Sequence, residues 1–341
     1  TGAGVLIALL FMAAAYEVNR KQIARHVGAD QTGKEDSYRE IFRVLFLIVT
    51  PIIFSSFIYN INGYINGVMY SELAGRQGVN SEVVSTLYGE YSVYFLTIIN
   101  IPLTLAGAAP TSMIPEVSAL YAQHRRKAAR RKIDEATQLS MFISIPAAVG
   151  LAVLAYPITR LLFPNTNGTA GTLLLIGAVT IIFNTNSNVS NGVLQGIGKA
   201  NLPMWNAAIA LVINVGLLVA LLQLTSLGIY AVLVATIVYS IVICILNDIS
   251  MKKYIHYKNP WGTVYLCPLL ASIPMGVAAG GIYYLLELVT GSNLISLLFA
   301  IAIGGMIYLS FYTTIMTKLK AMEKRRRMEQ RYKRERARER R

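Results

Sequence analysis

Apolar runs on the order of 20 residues, each long enough to cross a bilayer core of about 30 Å, alternate with polar loops along the chain. They fall at residues 1–16, 42–59, 91–109, 139–156, 172–191, 204–224, 227–247, 264–289 and 294–316, eight full spans preceded by one short one. The pattern predicts an all-α protein, a polytopic transmembrane helix bundle. Two spans turn polar before they leave the membrane. In the stretch 180–203, Thr180, Asn184, Asn188, Asn191 and Gln195 recur at steps of four, four, three and four, so they share one face of a helix. After the run at 42–59, Asn60, Asn62, Gly63, Asn66 and Gly67 follow Pro51, a polar break expected to loosen or kink its helix. Asn100 and Pro102 interrupt a third span at mid-depth, and residues 115–132 read as an amphipathic piece lying along the cytoplasmic surface. An unpaired amide in hydrocarbon costs roughly 4–8 kcal/mol on the cyclohexane scale, so these amides must face other helices or a watery cavity. The 180–195 stripe is read as one wall of a solvated pathway; the competing reading is polar glue between helices.

Composition agrees with a membrane protein. Of 341 residues 55% are hydrophobic and 14% charged, against roughly 25% charged in a soluble domain. The two cysteines, Cys244 and Cys267, sit in apolar segments and read as small buried hydrophobes. The chain opens at Thr1 within an apolar run, without an initiating Met or a signal-peptide charge pattern, and is expected to be the C-terminal part of something longer. Of 31 basic residues, 29 fall on alternate loops and in the tail, and only Arg76 and Arg160 lie on the other side. Lys and Arg stay cytoplasmic in short loops, so Arg20, Arg125, Lys199, Lys252 and the C-terminus are expected inside. The tail 318–341 carries 13 bases and four acids and is expected to meet anionic headgroups, with no nucleic-acid partner.

Other chemistry is sparse. No acidic residue lies between Glu135 and Asp248, so no intramembrane ion pair or proton relay is visible in that region. His26, His124 and His256 lie in loops without ligand spacing, and no metal is expected. No GxSxG, HExxH, P-loop or GxGxxG pattern occurs, so a catalytic site is not expected. Gly63 with Gly67 and Gly276 with Gly280 read as close helix packing, and the sequons at Asn167 and Asn188 as chance matches.

The pieces LYGEYSVYFLTIINIPLTLAGAAPTSMIPEVSALYA, SIPAAVGLAVLAYPITRLLFP, LQGIGKANLPMW and LGIYAVLVATIVYSIVICILN, in that order, resemble the polysaccharide-exporting branch of the multidrug/oligosaccharidyl-lipid/polysaccharide (MOP) exporters. The likeness is greatest to stage V sporulation protein B-like and MurJ-like lipid flippases. It implies that 1–16 ends helix six, 17–41 is a cytoplasmic loop, and 42–247 is the second six-helix lobe. On the same resemblance 248–263 is a loop, 264–316 is a final helix pair and 317–341 a basic tail, with the first lobe as the missing partner. The implied activity is movement of an undecaprenyl-pyrophosphate-linked sugar across the cytoplasmic membrane by alternating access, without a cofactor beyond Na+ or proton coupling. The residues assigned to the cavity wall are Asn60, Asn62, Asn66, Asn100, Asn184, Asn188, Asn191 and Gln195. Family members with a sodium site imply ligands near Asn62, Asn214, the Val232 carbonyl and Thr236, with Asn standing where acids are expected at the first two. A drug or cation antiporter of the same superfamily, a non-transporting envelope scaffold and a membrane-embedded transferase are the rival readings.

Overall fold

The structure, a computed structural model, describes residues 2–28, 37–164 and 168–339; Lys34 and the sequon at Asn167 lie outside the described residues. Among them every regular element is helical: α1 (Gly2–Gly28), α2 (Tyr38–Arg76), α3 (Ser81–Gly89), a π-helical turn (Glu90–Phe95) leading into α4 (Leu96–Ala122), α5 (Arg126–Val153) and α6 (Ala155–Leu162). There follow α7 (Thr169–Gly177), α8 (Thr180–Gly196), α9 (Asn201–Leu224), α10 (Ile229–Ile255), a second π turn (Gly262–Leu266), α11 (Cys267–Thr290) and α12 (Asn293–Glu339). Among the described residues seven helical stretches are long and apolar enough to cross a membrane, and α7 with α8, bent by 48°, makes an eighth if the pair is one span. These eight coincide with the eight full runs read from the sequence.

The chain divides into two compact units, Thr1–Leu47 and Ile48–Arg341. The first holds α1 and the start of α2. In the second, Tyr91 and Phe95 of the first π turn pack with Leu173 and Leu174 of α7, Leu218 of α9 and Leu233 of α10 in one buried cluster. Val117, Ile133, Val193, Leu194 and Met251 form another, which Tyr257 of the linker after α10 enters. Burial and the adjoining Asp134 carboxylate both push the Tyr257 hydroxyl above its ordinary titration range.

The polar break leaves α2 one continuous helix through Asn60–Gly67, while two other local expectations change. Asn62 and Asn66 bond to another helix, and at Gly67 a Cβ would lie 2.8 Å from the Tyr88 ring, so these residues are packing positions. Residues 115–132 are not a separate surface piece. They form the corner of a hairpin, α4 running to Ala122 and α5 starting at Arg126, with Lys132 Nζ 3.1 Å from Glu116 Oε2 across it. The span predicted over 139–156 closes at Val153, and α6 begins at Ala155.

α4 also continues through Pro102, Pro110 and Pro115, and α5 through Pro146. A proline removes the N–H that would bond the carbonyl four residues back, and hydrocarbon offers no replacement donor. Neighbouring helices supply two. Ser140 Oγ of α5 shares its proton between the Ala106 carbonyl freed by Pro110 and its own helix's Ala136 carbonyl, each at 3.0 Å, and the Tyr308 hydroxyl of α12 donates to the Phe142 carbonyl freed by Pro146, at 2.8 Å. The terminal helix pair is thereby pinned to α5 at a defined depth. Gly276 and Gly280 of α11 pack on Val149 and Val153, where a Cβ would lie 3.0–3.1 Å away, in keeping with the expected small-residue contact.

The proline account predicts a double-mutant cycle. Tyr308→Phe should cost about 1 kcal/mol, within the roughly 0.6–1.7 measured for hydrogen bonds between membrane helices. In a Pro146→Ala background, where residue 146 regains its own N–H, the same change should cost close to nothing. Equilibrium unfolding in a bilayer mimetic reads both; an equal penalty in the two backgrounds would show that the Tyr308 hydroxyl is not serving the proline-freed carbonyl.

Candidate functional site

The amides picked out from the sequence separate into buried knots and an exposed set. In the first knot Asn214 of α9 donates through Nδ2 to Asn62 Oδ1 at 2.9 Å and Asn66 Oδ1 at 2.7 Å, both on α2. Asn66 Nδ2 lies 3.5 Å from Thr236 Oγ1 of α10, and Thr236 also meets the Tyr91 hydroxyl at 2.7 Å and donates to the Val232 carbonyl at 2.8 Å. Asn66 and Asn214 have no exposed surface and Asn62 is 6% exposed. The four positions implied by the sodium-site resemblance, Asn62, Asn214, Val232 and Thr236, therefore come together.

Their chemistry does not suit a cation. Asn62 and Asn66 already offer their oxygens to the Asn214 amide, Asn214 Oδ1 is the one buried amide oxygen of the set without a partner, and none of the set is itself a carboxylate. Stripping water from a monocation needs several free oxygens, and a negative charge helps to offset the loss. The set fits a hydrogen-bonded tie, and no step is routed through an ion there.

A second knot links four helices. Asn191 Nδ2 of α8 donates to the Tyr59 hydroxyl of α2 at 2.7 Å, Asn247 Nδ2 of α10 donates to Asn191 Oδ1 at 2.8 Å, and Asn206 Nδ2 of α9 reaches Asn247 Oδ1 at 2.8 Å and Ser250 Oγ at 3.0 Å. A third joins the lobe to the linker: Asn186 Nδ2 donates to Asp248 Oδ1 at 3.2 Å, Tyr265 OH to Asn186 Oδ1 at 2.8 Å, and Asn259 Nδ2 to Tyr265 OH at 2.8 Å. Asn186, Asn206 and Asn247 were not among the site residues assigned from sequence. The available signal was an amide set within an otherwise Ile-, Val- and Leu-rich run.

The amides that remain open are Asn60 on α2, whose Nδ2 donates one turn back to the Ser56 carbonyl at 2.7 Å, Asn100 on α4 and Asn188 on α8, all exposed, with Asn184 and Gln195 half-buried on α8. Thr104 and Thr111, exposed on α4 four and eleven residues after Asn100, extend the open set; each hydroxyl donates one turn back, to the Asn100 and Gly107 carbonyls. Sequence reasoning missed both, although their spacing from Asn100 is helical. α4 and α8 are packed directly, Ile114 and Ser118 sitting where a Cβ on Gly192 or Gly196 would go. Tyr59, bonded to Asn191, brings α2 to α8. Of the α8 stripe, Thr180 is buried and bonds the Gly177 carbonyl at the bend, and Asn191 is tied into the second knot. No charged residue belongs to the open set. Separately, an apolar cavity of about 470 Å³ lies between α4, α5, α11 and α12, with Ile101, Leu105, Pro146, Leu154, Met275 and Leu297 among its walls. Among the described residues no group of three or more His, Cys, Asp or Glu could hold a metal.

Residues 2–326 match the family model described as lipid II flippase MurJ. Lipid II flippase MurJ of Bacillus subtilis (strain 168) is 26% identical over 290 residues, covering 80% of this chain and 52% of that protein. Stage V sporulation protein B of the same organism is 20% identical over 279 residues, covering 79% of this chain and 52% of that protein. The chain thus spans about half the length of the curated relatives it matches. Among solved structures, lipid II flippase MurJ in an inward closed conformation superposes with a TM-score of 0.60 at 20% identity, covering 86% of this chain and 59% of that one, which establishes a shared fold. Fold, spans and family model agree: the chain belongs to the lipid II flippase MurJ family.

Proposed function

We propose that this chain is the second lobe and terminal helix pair of a flippase that carries an undecaprenyl-pyrophosphate-linked sugar, such as lipid II or a polysaccharide repeat unit, from the inner to the outer leaflet by alternating access. The observation that carries the reading is the set of exposed neutral polar side chains on membrane-length helices, Asn60 on α2, Asn100, Thr104 and Thr111 on α4 and Asn188 on α8. Facing lipid, the amides of Asn100 and Asn188 would stand unpaired at several kcal/mol each and Asn60 would keep only its bond to the Ser56 carbonyl; facing a sugar, the same amides exchange bonds with hydroxyl and acetamido groups. The absence of charge from the set suits the sugar rather than the pyrophosphate, whose cationic contacts we assign to the remainder of the full-length protein. The apolar cavity between α4, α5 and the final pair suits the prenyl chain, which gains nothing by leaving an apolar phase.

Rocking of two lobes would then move the headgroup without exposing it to hydrocarbon, a step with no covalent chemistry. The basic loops and tail, with 29 of the 31 Lys and Arg, support a cytoplasmic C-terminus lying near anionic headgroups. In this reading drug efflux and a scaffolding role are secondary, because neither calls for a set of exposed hydrogen-bonding groups suited to a sugar.

Two variants separate the transport surface from the structural knots. Asn188→Leu, changed in the full-length protein, should leave the melting temperature within a few degrees of the parent but lower flipping by about tenfold, the equivalent of one lost hydrogen bond of roughly 1.4 kcal/mol. Asn214→Leu, which strands the oxygens of Asn62 and Asn66, should do the reverse first: lose roughly 1–3 kcal/mol of stability, with transport falling only as folded protein falls. A second test is complementation. The full-length gene should restore growth to cells depleted of their lipid II flippase; rescue of only a capsule or spore-envelope defect would change the sugar, and dye efflux without any lipid-linked sugar export would reverse the reading.

A further inference from the structure

Among the described residues Glu90 is the one charged side chain that is buried, at 4% exposure. Its Oε2 is shut off from solvent without a hydrogen-bond partner, and no ion pair includes it. The elements packed against its turn are α3, α4 and α7, with Tyr70 of α2, Leu218 of α9 and Leu233 of α10 in the same buried cluster; the ionisable side chains of that cluster are Tyr70, Tyr88, Tyr91 and Tyr230, none of them cationic. α7 bears no ionisable side chain; α3 brings only exposed Glu82 and Tyr88, whose hydroxyl is committed to the Gly63 carbonyl; the ionisable groups of α4, Glu116 and Tyr121, lie in its last two turns. Neither of the two arginines away from the basic loops is available to it: Arg76 sits 3.9 Å from Glu72 and Arg160 3.5 Å from Glu287. A carboxylate oxygen enclosed without a partner is costly to leave so, and the geometry leaves it free to face something small and positive.

Its place in the chain gives that charge a mechanical outlet. Glu90 opens the π-helical turn Glu90–Phe95, and such turns hold one residue more than an α-helix and mark points where a helix changes register. The next residue, Tyr91, bonds Thr236 at 2.7 Å and so joins the turn to the Asn66–Asn214 knot, while Tyr94 stacks on Phe163 at 3.8 Å. We propose that Glu90 is an exchangeable-cation site, holding a proton or Na+ while the turn is closed and giving it up when the turn opens the carboxylate to water. It rests on the transport reading above for its purpose, and it assigns ion coupling to this carboxylate rather than to the neutral set at Asn62, Asn214 and Thr236. Release of the cation strains the π turn, and the Tyr91–Thr236 bond passes that strain to α2, α9 and α10.

The test uses the purified full-length protein and its Glu90→Gln variant, which keeps the shape and discards the charge. Melting is followed from mildly acidic to mildly alkaline buffer with N-methylglucamine as the only cation, and then against added NaCl at fixed pH. Because only the neutralised form suits the buried site, wild type should gain stability as pH falls if the ligand is a proton, or as Na+ rises if it is Na+. Glu90→Gln should melt at or above wild type and require at least about tenfold more of that cation for any residual response. A variant with the wild-type response, or a wild type indifferent to both cations, overturns the assignment. Reconstituted flipping is measured alongside: if wild type responds through Glu90 but moves no lipid-linked sugar, the transport reading falls and the site stands.

Discussion

An amide within a membrane bundle must find a partner on another helix or water in a cavity, and this one requirement organises the lobe. Asn62 and Asn66 with Asn214, and Asn191 with Tyr59, Asn247 and Asn206, tie α2, α8, α9 and α10 at fixed depths. Apolar packing cannot set such a register alone, since lipid tails compete for the same surfaces on nearly equal terms. Each bond is modest, while each stranded partner is expensive, so a sliding helix loses more than any single contact is worth.

The same requirement explains how so many prolines are tolerated. Where Pro110 and Pro146 withdraw a donor, Ser140 and Tyr308 supply one from the adjacent helix. The links run from α4 to α5 and from α5 to α12, so the terminal pair is held to the lobe by bonds that exist because α5 is itself incomplete. α4 and α11 each begin at a π-helical turn, Glu90–Phe95 and Gly262–Leu266.

Much of this could be read from residue order. Span number followed from the apolar runs, because eight stretches of suitable length are hard to mistake. The amide stripe of α8 followed from its spacing. What spacing could not tell was which member of a helical face is covered by a neighbour: Asn188 and Asn191 lie one turn apart, yet one is open and the other is locked against Tyr59. Nor could it show that Asn60–Gly67 leaves α2 intact, since the compensating groups, Asn214 and Tyr88, come from far along the chain. Glu90 escaped notice because a Glu between Gly and Tyr near a span end looks solvated until three-dimensional packing encloses it.

The central claim is that residues two apart on α8 have different surroundings, water and sugar at 188 and protein at 186. In the full-length protein, with Cys244 and Cys267 replaced, a cysteine at each position can be challenged with a membrane-impermeant thiol reagent from either side. The account predicts modification at 188 from at least one side, slowed by lipid-linked sugar, with 186 protected throughout. A cysteine at 188 that stays unmodified from both sides, in every conformation the transporter can be driven into, would contradict it.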